Sequence, residues 1–179
     1  MEPLERRFVP AVPVDLRQTL AIHGRGPGDP TLRFSRDGST WRASRTPDGP
    51  ATIRLVSEAD AVRAQAWGPG AGWALEQAPE LVGASEDPAD LEDLTARVDG
   101  SRLLRDLHRR FPGTRIGRTR LVLEALVPAI IEQKVTGHEA RSAYVALVRR
   151  HGEPAPGPWD AERRPAPMRV PPAAATLAV

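Results

Sequence analysis

The sequence predicts an α+β fold, with an antiparallel β-sheet domain and its flanking helices followed by an all-helical part. Three observations predict it. Short β-prone runs separated by Asp-Gly turns occupy residues 31–67, and helical periodicity takes over after about residue 71. Charge then segregates: residues 76–99 carry Glu76, Glu80, Glu86, Asp87, Asp90, Glu92, Asp93 and Asp99, whereas 101–120 carry Arg102, Arg105, Arg109, Arg110, Arg115, Arg118 and Arg120 against Asp106 alone. The acidic stretch 84–93 reads as the connection, with the boundary near 86–95, dividing the chain into 1–90 and 91–179.

A proline-spaced lead (Pro3, Pro10, Pro13) ends at Asp15, a good N-cap for a short helix through about Ile22. The Gly24–Pro30 loop stops that helix. Strands are expected at Thr31–Ser35, Thr40–Thr46, Ala51–Val56 and Val62–Trp67, with Arg36-Asp37-Gly38 and Pro47-Asp48-Gly49 as hairpin turns, so the sheet is an antiparallel meander. A helix over about Ala71–Val82 should cover one face. Further helices are expected at Ser101–Phe111, about 118–135 and 137–151, after which seven prolines between 154 and 172 disfavour regular structure.

Two of these helices are informative in detail. Leu121, Leu123, Leu126, Val127, Ile130 and Ile131 leave almost no solvent face, so their helix should be enclosed by neighbours. It ends in a polar Glu132-Gln133-Lys134 tip. Thr136 and Glu139 form a capping box for the next helix, whose apolar stripe is Ala140, Ala143, Tyr144 and Leu147, and the pair makes a corner at Gly137.

Hydrophobic content of 40% with 27% charge describes a globular protein, and no apolar run has the length of a membrane span or forms an N-terminal signal peptide, so a cytoplasmic location is expected. No cysteine is present, which excludes disulfides, thiolate zinc sites and cysteine-held iron–sulfur clusters. His23, His108, His138 and His151 show no metal-ligand spacing. The basic charge is arginine almost throughout, Lys134 being the sole lysine.

The words Ala-Ile-Ile-Glu-Gln-Lys-Val-Thr-Gly (129–137) and Gly-Glu-Pro-Ala-Pro-Gly-Pro (152–158) resemble the DNA-3-methyladenine glycosylase II family of the helix-hairpin-helix glycosylase superfamily. Pro47-Asp48-Gly49-Pro50, Ala66-Trp67-Gly68-Pro69-Gly70 and Trp73-Ala74-Leu75-Glu76 extend the resemblance to most of the chain from about residue 8. It implies that the helical part is the beginning of a helix-hairpin-helix glycosylase domain. It also implies base-excision repair: flipping alkylated purines such as 3-methyladenine from duplex DNA and hydrolysing the N-glycosidic bond without a cofactor. In the family a Gln and a wedge side chain at the corner help fill the gap left by the extruded base, roles that fall on Gln133 and Lys134, with Thr136 in the same turn. Lysine replaces the family's apolar wedge.

The family's Leu-Pro-Gly-Ile-Gly-x-x-Thr-Ala hairpin and the catalytic Asp after it have no counterpart here, so the chain is expected to be the inactive front part of a glycosylase, with no catalytic residue assigned. Phe111-Pro112-Gly113-Thr114-Arg115-Ile116-Gly117 does not replace the hairpin, because its glycines stand four apart and their amides would not converge on one phosphate. The other DNA-binding candidates are Arg102, Arg105 and Arg109, on one side of a helix whose other side is Leu103, Leu104, Leu107 and Phe111; such a stripe can neutralise phosphates. The competing reading is a non-catalytic DNA-binding or interaction module.

Overall fold

The computed structural model describes residues 2–84, 102–159 and 167–178. Most of the acidic stretch, the expected boundary near 86–95 and Ser101 lie outside the described residues. Five strands, β1 (Leu4–Phe8), β2 (Leu32–Phe34), β3 (Thr40–Thr46), β4 (Gly49–Ser57) and β5 (Val62–Trp67), form one antiparallel sheet in the order β1-β5-β4-β3-β2. The expected meander is therefore present, and β3 and β5 have the expected bounds. The sequence reading missed β1, which the lead's prolines concealed: Leu-Glu-Arg-Arg-Phe does not alternate because it is a mostly exposed edge strand, held by pairing with β5 from Leu4↔Ala66 to Phe8↔Val62.

Period-2 alternation gives the sheet two different faces. Ala51, Ile53 and Leu55 of β4 and Val62, Ala64 and Ala66 of β5 point toward α1 (Leu16–Leu20) and α2 (Ala71–Leu81), which bring Leu16, Leu20, Ala74, Leu75, Ala78 and Leu81 to the main core. Asp15 caps α1 as expected, accepting from the Gln18 amide at 2.9 Å. Pro79 cannot donate to the Leu75 carbonyl one turn back, and Arg6 of β1 donates to that oxygen instead at 3.1 Å.

On the opposite face Trp41 and Trp67 stack with centroids 5.4 Å apart, and Ala155, Met168, Val170 and Trp159 pack over them. The proline-rich end is thus more ordered than the sequence suggested: Glu153–Pro154 (β6) and Arg169–Val170 (β7) form a short ladder, and Ala174–Leu177 forms a helical turn. Prolines are tolerated because this ladder uses few amides. Trp159 packs on Trp41 of the sheet, 5.6 Å between centroids.

The helical segment comprises α3 (Arg102–Arg110), α4 (Val122–Ile131) and α5 (Gly137–His151). The α4 helix is shorter than expected because residues 118–121 are held against α2: the Arg118 amide donates to Glu80 O at 2.9 Å, Gln77 donates to Arg118 O, and Arg120 forks onto the Glu80 carboxylate at 2.5 and 2.6 Å. Its expected enclosure is not found. Only Pro128 is buried, and Val122, Leu126 and Ile130 are 77%, 49% and 60% exposed. The buried stripe of α5 is Ala140, Tyr144 and Val148, so the helix is rotated from the expected face and leaves Ala143 exposed. Among the described residues no helix is long and apolar enough to cross a membrane.

Candidate nucleic-acid interface

The turn between α4 and α5 is built by its own hydrogen bonds. The Glu132 amide donates to Pro128 O at 2.9 Å and the Gln133 amide to Ile130 O at 3.2 Å, closing α4; the Thr136 amide donates to Glu139 Oε2 at 2.9 Å and the Glu139 amide to Thr136 Oγ1 at 3.4 Å, opening α5. These Thr136 contacts hold the Glu139 carboxyl below the usual range. Gln133, Lys134 and Thr136 are all exposed on this turn, and Gln133 Nε2 donates back to Ala129 O at 3.2 Å.

Arg102, Arg105 and Arg109 are exposed on α3, where Arg102 and Arg109 both pair with Asp106 of the same helix. Their companions on the apolar side, Leu103, Leu104, Leu107 and Phe111, are 40–67% exposed. The 111–117 loop forms no hairpin. Instead it is fastened to α1: Gly113 O accepts from the Asp15 amide at 2.7 Å, and Thr19 Oγ1 accepts from the Arg115 amide at 3.1 Å.

Beside the turn lies a cavity of about 470 Å³ that sequence reading did not find, lined by residues from α1, the 21–25 turn, β2, β3, the 114–119 loop, α4 and α5. Its organising feature comes from the reversed polarity of β3, which presents Thr40, Arg42, Ser44 and Thr46 on the face where β4 presents Leu55, Ile53 and Ala51. Arg42 Nη2 meets Glu124 Oε2 of α4 at 2.9 Å with both side chains about nine-tenths buried, and Glu124 Oε1 accepts from the Arg45 amide at 2.7 Å. The signal was available: a single carboxylate in an otherwise apolar helix requires a partner. Arg25 joins cavity and turn, with its Nε 4.0 Å from Glu132 Oε1 and its guanidinium over Tyr144. Burial, with the Arg42 and Arg25 charges, lowers His23 to about 4, and burial, reinforced by Asp29 and Glu124, pushes Tyr144 up to about 12. Among the described residues no group of His, Asp and Glu side chains could hold a metal.

Solved structures share this arrangement of sheet, flanking helices and helical corner. A 3-methyladenine DNA-glycosylase from Archaeoglobus fulgidus superposes with a TM-score of 0.73 at 19% identity, covering 96% of this chain and 57% of that one. This chain shares the fold of the part of that protein it covers. MBOgg1 in complex with a low-affinity DNA ligand follows at TM-score 0.66 and 15% identity (99% of this chain, 56% of that one). The 8-oxoguanine glycosylase/lyase of Clostridium acetobutylicum, in complex with duplex DNA containing cytosine opposite 8-oxoG, gives 0.65 and 13% (98% and 53%). The chain thus spans little more than half the length of these glycosylases. No family model and no curated protein sequence matches it.

Proposed function

We infer that this chain is the DNA-engaging portion of a base-excision glycosylase, one that binds duplex DNA through the α4–α5 turn and receives a damaged purine in the adjoining cavity. The observation that carries the reading is the exposure of Gln133, Lys134 and Thr136 at the end of a helix whose Ala125 and Pro128 line that cavity. An extruded base costs a few kcal/mol of stacking, which a side chain entering the vacated space helps to offset. Gln133 and Lys134 have the reach and hydrogen-bonding capacity for that role, and Thr136, Arg102, Arg105 and Arg109 supply phosphate contacts. The shared fold and the sequence resemblance both support glycosylase chemistry, and alkylated purines such as 3-methyladenine are the substrate the resemblance supplies.

Recognition, rather than hydrolysis, is what the described residues carry. The one carboxylate lining the cavity is Glu124, and both its oxygens are already engaged, by Arg42 and by the Arg45 amide. No described carboxylate there is left to stabilise a developing sugar cation or orient water. The test is a fluorescence-anisotropy titration of the 179-residue protein with labelled duplex over a range of salt. Binding whose log K falls linearly with log salt, by about 0.9 per phosphate contact, supports the reading. Absence of duplex binding at low salt rejects it in favour of a protein-interaction module.

A further inference from the structure

We propose that Arg25, carried by the loop that leads into β2, is the positioning residue of the α4–α5 turn: it neutralises Glu132, so that an acidic helix end can approach DNA phosphates. This deepens the DNA-engaging reading above and rests on it.

Glu132 caps the C-terminus of α4 and is followed directly by Gln133 and Lys134. A carboxylate there is misplaced twice. The C-terminus of a helix already carries partial negative charge, and the last turn of α4 holds no basic residue to offset it. Beside a duplex the same carboxylate would also oppose the phosphates that the turn is inferred to meet. The cation that answers it is Arg25, whose Nε lies 4.0 Å from Glu132 Oε1, the two side chains being 19% and 49% exposed. That distance is too long for a hydrogen bond, and the Nε has no hydrogen-bond partner, so the contact is one of charge.

Arg25 is held in place rather than free to swing toward a phosphate. Its Nη1 donates to Ile22 O at 3.0 Å, its amide donates to Asp29 Oδ2 at 2.7 Å, and its guanidinium lies 6.0 Å from the centroid of the Tyr144 ring on α5. Asp29 in turn accepts from the Thr31 amide at 2.7 Å, which ties the loop to the start of β2. The loop also rests on α5. Arg149 Nη2 donates to Gly28 O at 3.4 Å, and Gly26, at a left-handed φ of 82°, leaves room that a Cβ would close to 3.2 Å from Arg141 Cδ. The sheet and α5 thus fix the guanidinium jointly, and it acts on the turn through Glu132.

The experiment is a set of anisotropy titrations with labelled duplex over a range of salt, for the wild type, Arg25→Gln, Arg25→Lys and the double variant Arg25→Gln with Glu132→Gln. Arg25→Gln should bind about fivefold more weakly, the order of one charge contact at that distance in a hydrated site. The slope of log K against log salt should stay at the wild-type value, because no phosphate contact is lost. Arg25→Lys, which keeps the charge, and the double variant, which removes the carboxylate left unpaired, should both return to within about twofold of the wild type. A slope reduced by about one unit in Arg25→Gln overturns the proposal in favour of a direct phosphate contact. Affinity unchanged in Arg25→Gln, or a loss that neither Arg25→Lys nor the double variant recovers, overturns it in favour of a purely structural loop. Failure of the wild type to bind duplex removes the parent reading, and this one with it.

Discussion

Arg42 of β3 and Glu124 of α4, 82 positions apart in sequence, form a buried ion pair at 2.9 Å that fastens the helical corner to the sheet. The pair sits where β3 turns its polar face inward, and Arg42 Nε also donates to Ser44 Oγ at 3.0 Å. The orientation of the Gln133–Lys134 turn thus depends on a contact some ten residues away along α4.

Breaking that pair from one side leaves the other charge buried and unpaired. Glu124→Ala is expected to lower unfolding free energy by about 3–5 kcal/mol, whereas the double replacement Arg42→Met with Glu124→Leu should cost much less. Urea denaturation of the three proteins checks it; a Glu124→Ala loss no greater than that of the double variant would show that the pair is not what holds the helix.

His23 makes stability depend on pH. Its folded value is about 4 against an ordinary 6.5, so between those values the unfolded chain binds more protons than the folded one. The contribution is present above about pH 6.5 and is lost as pH falls toward 4. Denaturation midpoints measured across that window should fall with acid for the wild type and fall less steeply for His23→Gln; parallel curves would place the acid sensitivity elsewhere.

Lys134→Ala and Arg105→Ala should each weaken duplex binding and reduce the slope of log K against log salt, by about one unit for each side chain that meets a phosphate. Unchanged titrations for both variants would identify these charges as solvated surface.

The exposed apolar residues of α3 and α4 forfeit burial worth about 25 cal/mol per Å². Amides in β3, β4 and β5 are expected to exchange slowly with deuterium, those of α3 and α4 quickly, and a hydrophobic dye should bind the folded protein. Slow exchange throughout, without dye binding, would mean that these faces are covered in solution.

Much of this architecture was legible in the sequence. Thr40–Thr46 and Val62–Trp67 were readable because β-prone runs lay between turn signals, and Asp15 and Thr136 because a cap needs only its own first turn. β1 was not, since an edge strand held by backbone pairing carries no alternation. The enclosure expected for residues 121–131 failed because hydrophobicity states a requirement for burial without saying what meets it. The proposed turn residues were visible as a polar tip. The cavity was not, because Arg42, His23, Arg25 and Glu124 meet only after β3, the 21–25 turn and α4 have been folded together, and no local period records that meeting.

The chain's return to the Trp41–Trp67 face has a topological consequence. Met168 and Val170, fully buried there, clasp the segment beyond α5 to the strands of the sheet, so the helix that ends at His151 is moored on its far side. A lysine-specific endoprotease has one bond to cut, after exposed Lys134. The nicked halves, residues 1–134 and 135–179, should therefore migrate together in native conditions and separate only in denaturant, as partners in a complementation pair.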